Sequence, residues 1–460
     1  MPDPDLFSVM RKLLTLLSAL IALSGLHSCS SDEDDYIIID DPDALGVSLF
    51  KRLETLYGST SILLLPDSRD YESIPSDPKN PLSESKVLLG KLLFHETAIG
   101  LNPVQSQGLQ TYSCASCHHA NAGFQSGLKQ GIGEGGSGFG LFGEARIPDN
   151  SYLSMDLDVQ PIRTPTILNT AYQEIMLWNG QFGATGLNEG TEEFWDPDTP
   201  KEKNNLGFQG IETQAIAGLG VHRLRCDPEI IENIAEYREL FDAAFSDFSP
   251  SERYTDLNAA KAIAAYERTV VANQAPFQEW LKGNNNAMNE EQIEGALLFF
   301  GKAECYQCHS GPALNSMTFH ALGMNDFVTG DIIGVVDEAT KQGRGGFTKR
   351  APDMYAFKTP TIYNLKGLNF LGHGGSFSSV KEIIRYKNDG KPENKEVPAS
   401  SISSHFYPLG LSDSELRMLT AFVEDALFDP NLDRYVPDTL PSGFCFPVSD
   451  PVSREQLGCN

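Results

Sequence analysis

Two cysteine pairs in this chain are each followed directly by a histidine: Cys114-Ala115-Ser116-Cys117-His118 and Cys305-Tyr306-Gln307-Cys308-His309. Thiols one short turn apart can add to the two vinyl groups of haem, and the next residue then places an imidazole on the iron. Each motif therefore specifies one covalently attached c-type haem. A zinc site would need four ligands gathered locally, and a thioredoxin-like pair would leave both histidines unexplained. Cys114, Cys117, Cys305 and Cys308 are assigned to haem attachment, and His118 and His309 to the irons as proximal ligands. The remaining levers are the sixth ligand, the polarity and the solvent access of each distal face. Two haems that differ in these divide the work: one iron keeps an open face for chemistry and the other relays electrons.

The elements that position these motifs occur twice. Leu92-Leu93-Phe94 leads into the first motif and Leu298-Phe299-Phe300 into the second. Downstream, Arg163-Thr164-Pro165-Thr166-Ile167-Leu168-Asn169 is matched 195 residues later by Lys358-Thr359-Pro360-Thr361-Ile362-Tyr363-Asn364, and Trp178-Asn179-Gly180 faces His373-Gly374-Gly375 at the same offset. Matching phrases at a fixed spacing imply two haem domains of one ancestry. Apolar residues recur at helical spacing over Leu411 to Phe428, with Ser412 and Glu415 as a capping-box start, and again over Ile230 to Phe248, Leu257 to Ala272 and Glu290 to Phe300. Strand signals are few. The expected fold is mostly α, with two cytochrome c-like haem domains in tandem, long loops and little β. The glycine-dense stretch Gly131 to Gly143 is expected as a loop, either close to backbone or cofactor or as a surface turn.

Read from Met10, a cationic start (Arg11, Lys12) precedes the apolar run Leu13 to Leu26. That run is shorter than the ~20 residues needed to span a bilayer and fits a secretory signal peptide. Leu26-His27-Ser28-Cys29 resembles a bacterial lipobox, with Cys29 lipidated, and the acidic tail that follows reads as a solvated tether. The expected division is 1–29 signal peptide with lipobox, 30–80 tether and extension, 81–285 first haem domain and 286–460 second haem domain. The formal charge of −27 excludes nucleic acid and an anionic membrane surface as partners, and leaves a basic protein or simple solubility as its meaning. Of the remaining cysteines, Cys445 and Cys459 are placed to close a short loop in an oxidising compartment, which would leave Cys226 odd; the sequence does not fix that pairing.

The phrases LGKLLFHETAIG, SCASCHH, RTPTILN, LWNG, IETQA, LLFFGKAECYQCHSGP, FKTPTIYN and LGHGGSFSSVKEII, running from about Leu89 to Leu427, resemble the bacterial di-haem cytochrome c peroxidase family, which includes the MauG-type protein-modifying oxidases. The resemblance implies that the haem on His309 accepts electrons and the haem on His118 reduces hydrogen peroxide. Trp178 would lie between the haems as a relay, or be a packed core residue. Gln214 matches a distal-pocket glutamine that can hydrogen-bond peroxide, or is a surface helix residue.

Departures from the family pattern follow. Gly133-Glu134-Gly135 stands where peroxidases carry a removable histidine ligand, so the first haem is expected to have an open or weakly blocked face. Glu134 would then be a proton shuttle if it points inward, or a solvated loop residue. His222 and Arg223 stand where the family has a catalytic glutamate, as acid–base and charge-stabilising groups or as structural residues. Lys387, next to Tyr386, falls where the second haem's methionine or tyrosine ligand is expected. Thr164 replaces an asparagine of the family's calcium site, which leaves the Ca2+ in doubt.

The leading expectation is peroxide reduction with electrons from a small donor protein such as a cytochrome c or a cupredoxin. A MauG-like oxidase and a non-catalytic di-haem electron-transfer lipoprotein are the alternatives. The expected cofactors are two haem c with Ca2+ as a further candidate. A lipid anchor at Cys29 and a homodimer are the expected associations, in the periplasm or at the outer membrane or surface of a Gram-negative bacterium.

Overall fold

A computed structural model describes residues 42–228 and 233–459; the signal peptide, the lipobox with Cys29 and most of the acidic tether lie outside the described residues. The described residues from Leu45 onward, which hold both CxxCH motifs, form one unit by contacts. The longer helices are α1 (Pro42–Tyr57), α2 (Glu84–His95), α3 (Gly210–Val221), α4 (Ala235–Ala244), α5 (Asp256–Thr269), α6 (Glu290–Phe299), α7 (Val380–Asp389) and α8 (Asp413–Ala421). Two antiparallel two-stranded ladders are the β-structure in named strands: β1 (Gly136–Ser137) with β2 (Ile147–Pro148), and β3 (Phe319–His320) with β4 (Phe357–Lys358). The fold is mostly α, as the periodicity implies. No helix among the described residues is long and apolar enough to cross a membrane.

Local chemistry sets the helix starts. Ser412 and Glu415 form the expected capping box of α8, with Glu415 N donating to Ser412 Oγ and Ser412 N donating to Glu415 Oε2 at 2.7 Å. Asn289 and Gln292 do the same for α6. Thr255 caps α5 through Asn258 N.

The duplication is a helix crossing made twice. In the first repeat α2 crosses α5 at Gly90, where a Cβ would come within 1.8 Å of the Ala262 carbonyl oxygen. In the second, α6 crosses α8 at Gly295, where a Cβ would come within 2.0 Å of the Met418 carbonyl oxygen. Backbones this close admit only glycine. The crossing corrects the sequence register by one residue. Gly90 matches Gly295, so Leu92-Leu93-Phe94 corresponds to Leu297-Leu298-Phe299 and not to the following triplet. The rings agree: Phe94 lies 6.4 Å from the His118 ring and Phe299 lies 6.5 Å from the His309 ring. Asn169 and Asn364 both adopt left-handed backbone and donate N–H to the carbonyl ending the crossing helix segment, Val270 at 2.8 Å and Leu427 at 3.1 Å. A π-helical turn, Phe422–Ala426, extends α8 to reach that second contact.

Candidate haem centres

Both motifs fold locally as a 3-10 turn, Cys114–Ser116 and Cys305–Gln307, with the histidine N–H donating to the first cysteine's carbonyl at 3.1 and 2.8 Å. The four thiols are not joined in disulfides, whereas Cys445 and Cys459 are, and Cys226 is buried and free. His118 Nδ1 faces the Phe124 carbonyl at 3.3 Å and His309 Nδ1 the Leu314 carbonyl at 2.9 Å. Burial pulls both imidazoles down to about 4, against the raising effect of those carbonyls and of the backbone at Pro165 and Pro360. A neutral ring with Nδ1–H held by a carbonyl directs its Nε2 lone pair outward, which is what an iron ligand needs. The residues at both motifs fit covalent haem.

The second motif opens on a cavity of about 290 Å3, lined by Phe299, Leu371, Ile383, Met324, His373 and Lys387 among others. Lys387 projects its ammonium over the Phe406 ring at 5.9 Å, and burial brings it down to about 8, opposed by the nearby thiols of Cys308 and Cys305. Tyr386 is turned away from the cavity: its phenol donates to the Leu322 carbonyl at 2.6 Å and its ring packs on Phe377 and Phe406. Met324 lines the cavity from a loop preceding His373, on the opposite side of that histidine in sequence from Lys387 and Tyr386. His373 stacks on Phe357 at 3.7 Å, with Nε2 3.2 Å from Asp326.

Two buried cations line this cavity without an anionic partner. Arg163 donates to the carbonyls of Leu128 (2.6 Å) and Ser126 (2.9 Å) and to Gln125 Oε1 (3.1 Å), and Lys358 Nζ donates to Gln173 Oε1 and to the Ile175 carbonyl at 2.7 Å. Burial, with Arg344 adding to it, brings Lys358 down to about 7. Buried charge is normally paired, and the two propionates of a haem have the sign that would pair with Arg163 and Lys358.

Around the first motif the polar groups form two pairs. Glu134 is fully buried and bound by Arg223 Nη1 at 2.5 Å, by Tyr152 Oη at 3.0 Å and by the Gln105 amide at 3.2 Å. It is neither solvated nor free. His222, at the C-terminus of α3, holds its Nδ1 3.0 Å from Asp158 Oδ2. Burial alone would lower its pKa; the Asp158 carboxylate reverses this, and the net shift is upward. Its side chain is 38% exposed, so it can exchange protons with water. Both pairs adjoin the motif: Asp158 acts electrostatically on Cys117 and His222 on His118, and a Cβ on Gly131 would meet Cys117 Sγ at 3.0 Å. The glycine-dense loop is thus pressed against the attachment site. Gln214, on α3, leaves a buried Oε1 with no hydrogen-bond partner. Asp158 and Tyr152 come from irregular loops, and no sequence signal pointed to them.

Trp178 lies where the repeats meet. Its Nε1 donates to the Arg163 carbonyl at 2.8 Å, its own carbonyl accepts from Lys358 N at 2.8 Å, and its ring lines the second cavity 6.4 Å from the His373 ring. The structure therefore gathers Glu134, His222 and Arg223 beside the first motif and Lys387 and Trp178 at the second, and leaves Tyr386 outside.

Comparison with known proteins agrees with this arrangement. A family model described as di-haem cytochrome c peroxidase matches residues 84–286. The methylamine utilization protein MauG of Methylorubrum extorquens is 28% identical over 364 residues, 79% of this chain and 84% of that protein. The cytochrome c peroxidase Ccp of Escherichia coli is 28% identical over 342 residues, 73% of this chain and 60% of that protein. A crystal structure of a MauG-like protein associated with microbial copper homeostasis shares the fold with a TM-score of 0.54 and 22% identity, covering 84% of this chain and 98% of that one. With two CxxCH units built on one repeated helix crossing, the chain is similar to the di-haem cytochrome c peroxidase family over residues 84–286 and to MauG and cytochrome c peroxidases over most of its length.

Proposed function

We propose that the protein is an exported di-haem peroxidase that reduces hydrogen peroxide to water at the His118 site, with electrons entering at the His309 site from a small donor protein. The observation that carries this reading is the asymmetry of the two sites. A solvent-connected His222–Asp158 pair and the unpartnered Gln214 Oε1 belong to the first repeat, while the second motif opens on a cavity walled by apolar side chains together with Lys387, Lys358 and Arg163. When bound, the haem irons supply the electrons and the coordination of peroxide. The balance is H2O2 plus two electrons and two protons giving two waters. His222, oriented by Asp158, holds and releases a proton at Nε2. Gln214 Oε1 accepts a hydrogen bond from the peroxide O–H. Glu134 and Arg223 neutralise each other and keep the carboxylate away from the iron. Trp178 would bridge the sites as a relay, and Lys387 is the cavity side chain that would offer an amine ligand to the second haem.

A MauG-like oxidase is the second reading, favoured by one observation: Lys387 rather than Tyr386 faces the second site, and a strong donor there stabilises the oxidised iron. Export through the signal peptide, lipidation at Cys29 and residence in the periplasm or at the outer membrane complete the proposal. The Cys445–Cys459 disulfide fits an oxidising compartment. Mixing the purified holoprotein with peroxide, with and without a reduced donor, while following the haem spectrum tests it. Turnover that requires donor is expected; a long-lived oxidised state that persists without donor would transfer the assignment to the oxidase, and no reaction would leave an electron carrier.

A further inference from the structure

We propose that Glu267 is a proton site linked to the oxidation state of the first haem, taking up one proton from water for each electron that enters at the His118 site. Glu267 lies in the last turn of α5, the helix that crosses α2 at Gly90, and no step of the peroxide chemistry above uses it. Two carboxyl groups and one guanidinium meet there. Arg268 and Glu212 are fully buried and form a bidentate pair, with Arg268 Nε donating to Glu212 Oε1 at 2.9 Å and Nη2 to Glu212 Oε2 at 2.6 Å. The guanidinium also donates to the Pro75 carbonyl at 2.9 Å and to Gln209 Oε1 at 3.0 Å. Glu267, 3% exposed, keeps its Oε2 buried with no hydrogen-bond partner. A carboxylate so placed is an uncompensated buried charge, and holding a proton relieves it.

The surroundings push the same way. Burial first, and then the Glu212 charge, bring Glu267 up to about 8 against the pull of Arg268. The negative end of the α5 dipole also disfavours an anion in this turn. Tyr266 on α5 and Cys114 in the first motif face the carboxyl as well, and burial holds both neutral. The Thr170 hydroxyl donates to the Glu267 backbone carbonyl at 3.1 Å and not to its side chain. On the far side of the pair, Asn80 donates to Glu212 Oε1 at 3.2 Å, and the ammoniums of Lys86 on α2 and Lys261 on α5 act on Glu212. Glu212 is therefore the committed anion of the cluster, and Glu267 is the carboxyl that titrates.

Cys114 ties this carboxyl to the haem. Burial pushes the Cys114 thiol up and the Glu267 charge adds to it, so the carboxyl and the attachment site share one electrostatic field. Between buried groups that field is weakly screened. A negative charge on Glu267 and an electron added at the first site therefore oppose each other, and the coupling is the same whichever comes first. The added electron raises the pH at which Glu267 titrates, and an ionised Glu267 lowers the potential. Between those two titrations the balance is one electron and one proton taken up together, the proton coming from water and going to the Glu267 carboxyl. This rests on haem attachment at Cys114 and not on any reaction with peroxide.

The test is a spectroelectrochemical titration of the purified di-haem protein at pH values on both sides of 8, following the haem on His118. Because the His222–Asp158 pair also titrates beside His118, the measurement is made in a His222→Gln background. The midpoint potential is expected to fall as pH rises through about 8. Glu267→Gln, which has the shape of the protonated acid, is expected to abolish that fall and to hold the low-pH potential throughout. A fall of unchanged size in Glu267→Gln overturns the proposal. If that variant does not fold, the infrared difference spectrum between the reduced and oxidised forms of the His222→Gln protein is recorded near pH 8. Gain of a protonated-carboxyl carbonyl stretch on reduction is expected, and its absence overturns the proposal. Neither reading needs peroxide turnover, so a protein that proves silent to peroxide tests this inference equally well.

Discussion

His222 keeps its proton because of Asp158, and that dependence can be measured. Its folded pKa is raised, so the imidazolium is present below that value and lost as pH rises through it. Donor-driven peroxide turnover is therefore expected to fall with rising pH across the His222 titration, and Asp158→Asn to move the fall to lower pH. His222→Gln is expected to slow turnover about 10²–10⁴-fold, the usual contribution of a positioned general acid or base; a steady-state pH profile that neither substitution alters would exclude the pair from proton transfer. At the second site, Lys387→Met is expected to raise the midpoint potential, because a thioether favours the reduced iron over an amine; redox titration checks this, and an unchanged potential would place Lys387 off the iron. The histidines, cysteines and Trp178 were legible in the sequence because motif and repeat fix them. The partners were not: Glu134 and Arg223 lie 89 residues apart and meet only through folding. Met324 escaped notice because it approaches from the N-terminal side of His373.

At the scale of elements, the two glycine crossings hold each haem motif in place. Gly295→Ala forces a methyl into the Met418 carbonyl and is expected to destabilise by about 1–3 kcal/mol or more, as overpacking does. In thermal unfolding each kcal/mol lowers the melting temperature by about 2–4 °C in a chain of 150–250 residues, and by less in one of 460. An unchanged melting temperature would mean that the helices can separate without penalty. Helix existence was legible from periodicity and caps: α6 and α8 fall within the expected stretches, α5 starts one residue before its own, and the Ser412–Glu415 box forms. The one-residue slip in the second repeat arose because Leu297-Leu298-Phe299-Phe300 is a continuous apolar run that admits two registers against Leu92-Leu93-Phe94. The backbone approach at Gly295 fixes the register in which Leu297-Leu298-Phe299 is the counterpart. The π-helical turn after α8 carries no sequence signal; it ends beside Leu427, whose carbonyl accepts from Asn364 N.

At the scale of the molecule, the charge of −27 and the duplicated fold describe a reductant-receiving protein whose two halves have diverged. Association with a basic donor such as a cationic cytochrome c is expected to be steered electrostatically, so its rate should drop about tenfold or more between low and physiological ionic strength. A rate indifferent to salt would indicate a neutral or acidic donor. The divergence of the halves is sharpest on the distal faces. Glu134 is locked to Arg223 and Tyr152 at the first site, which would keep its carboxylate from a haem held there, while Lys387 lines the second cavity. A low-temperature electron paramagnetic resonance spectrum of the oxidised holoprotein separates these two environments most directly. One high-spin ferric centre, at the His118 site, and one low-spin centre are expected; two fully low-spin centres would contradict an open first site.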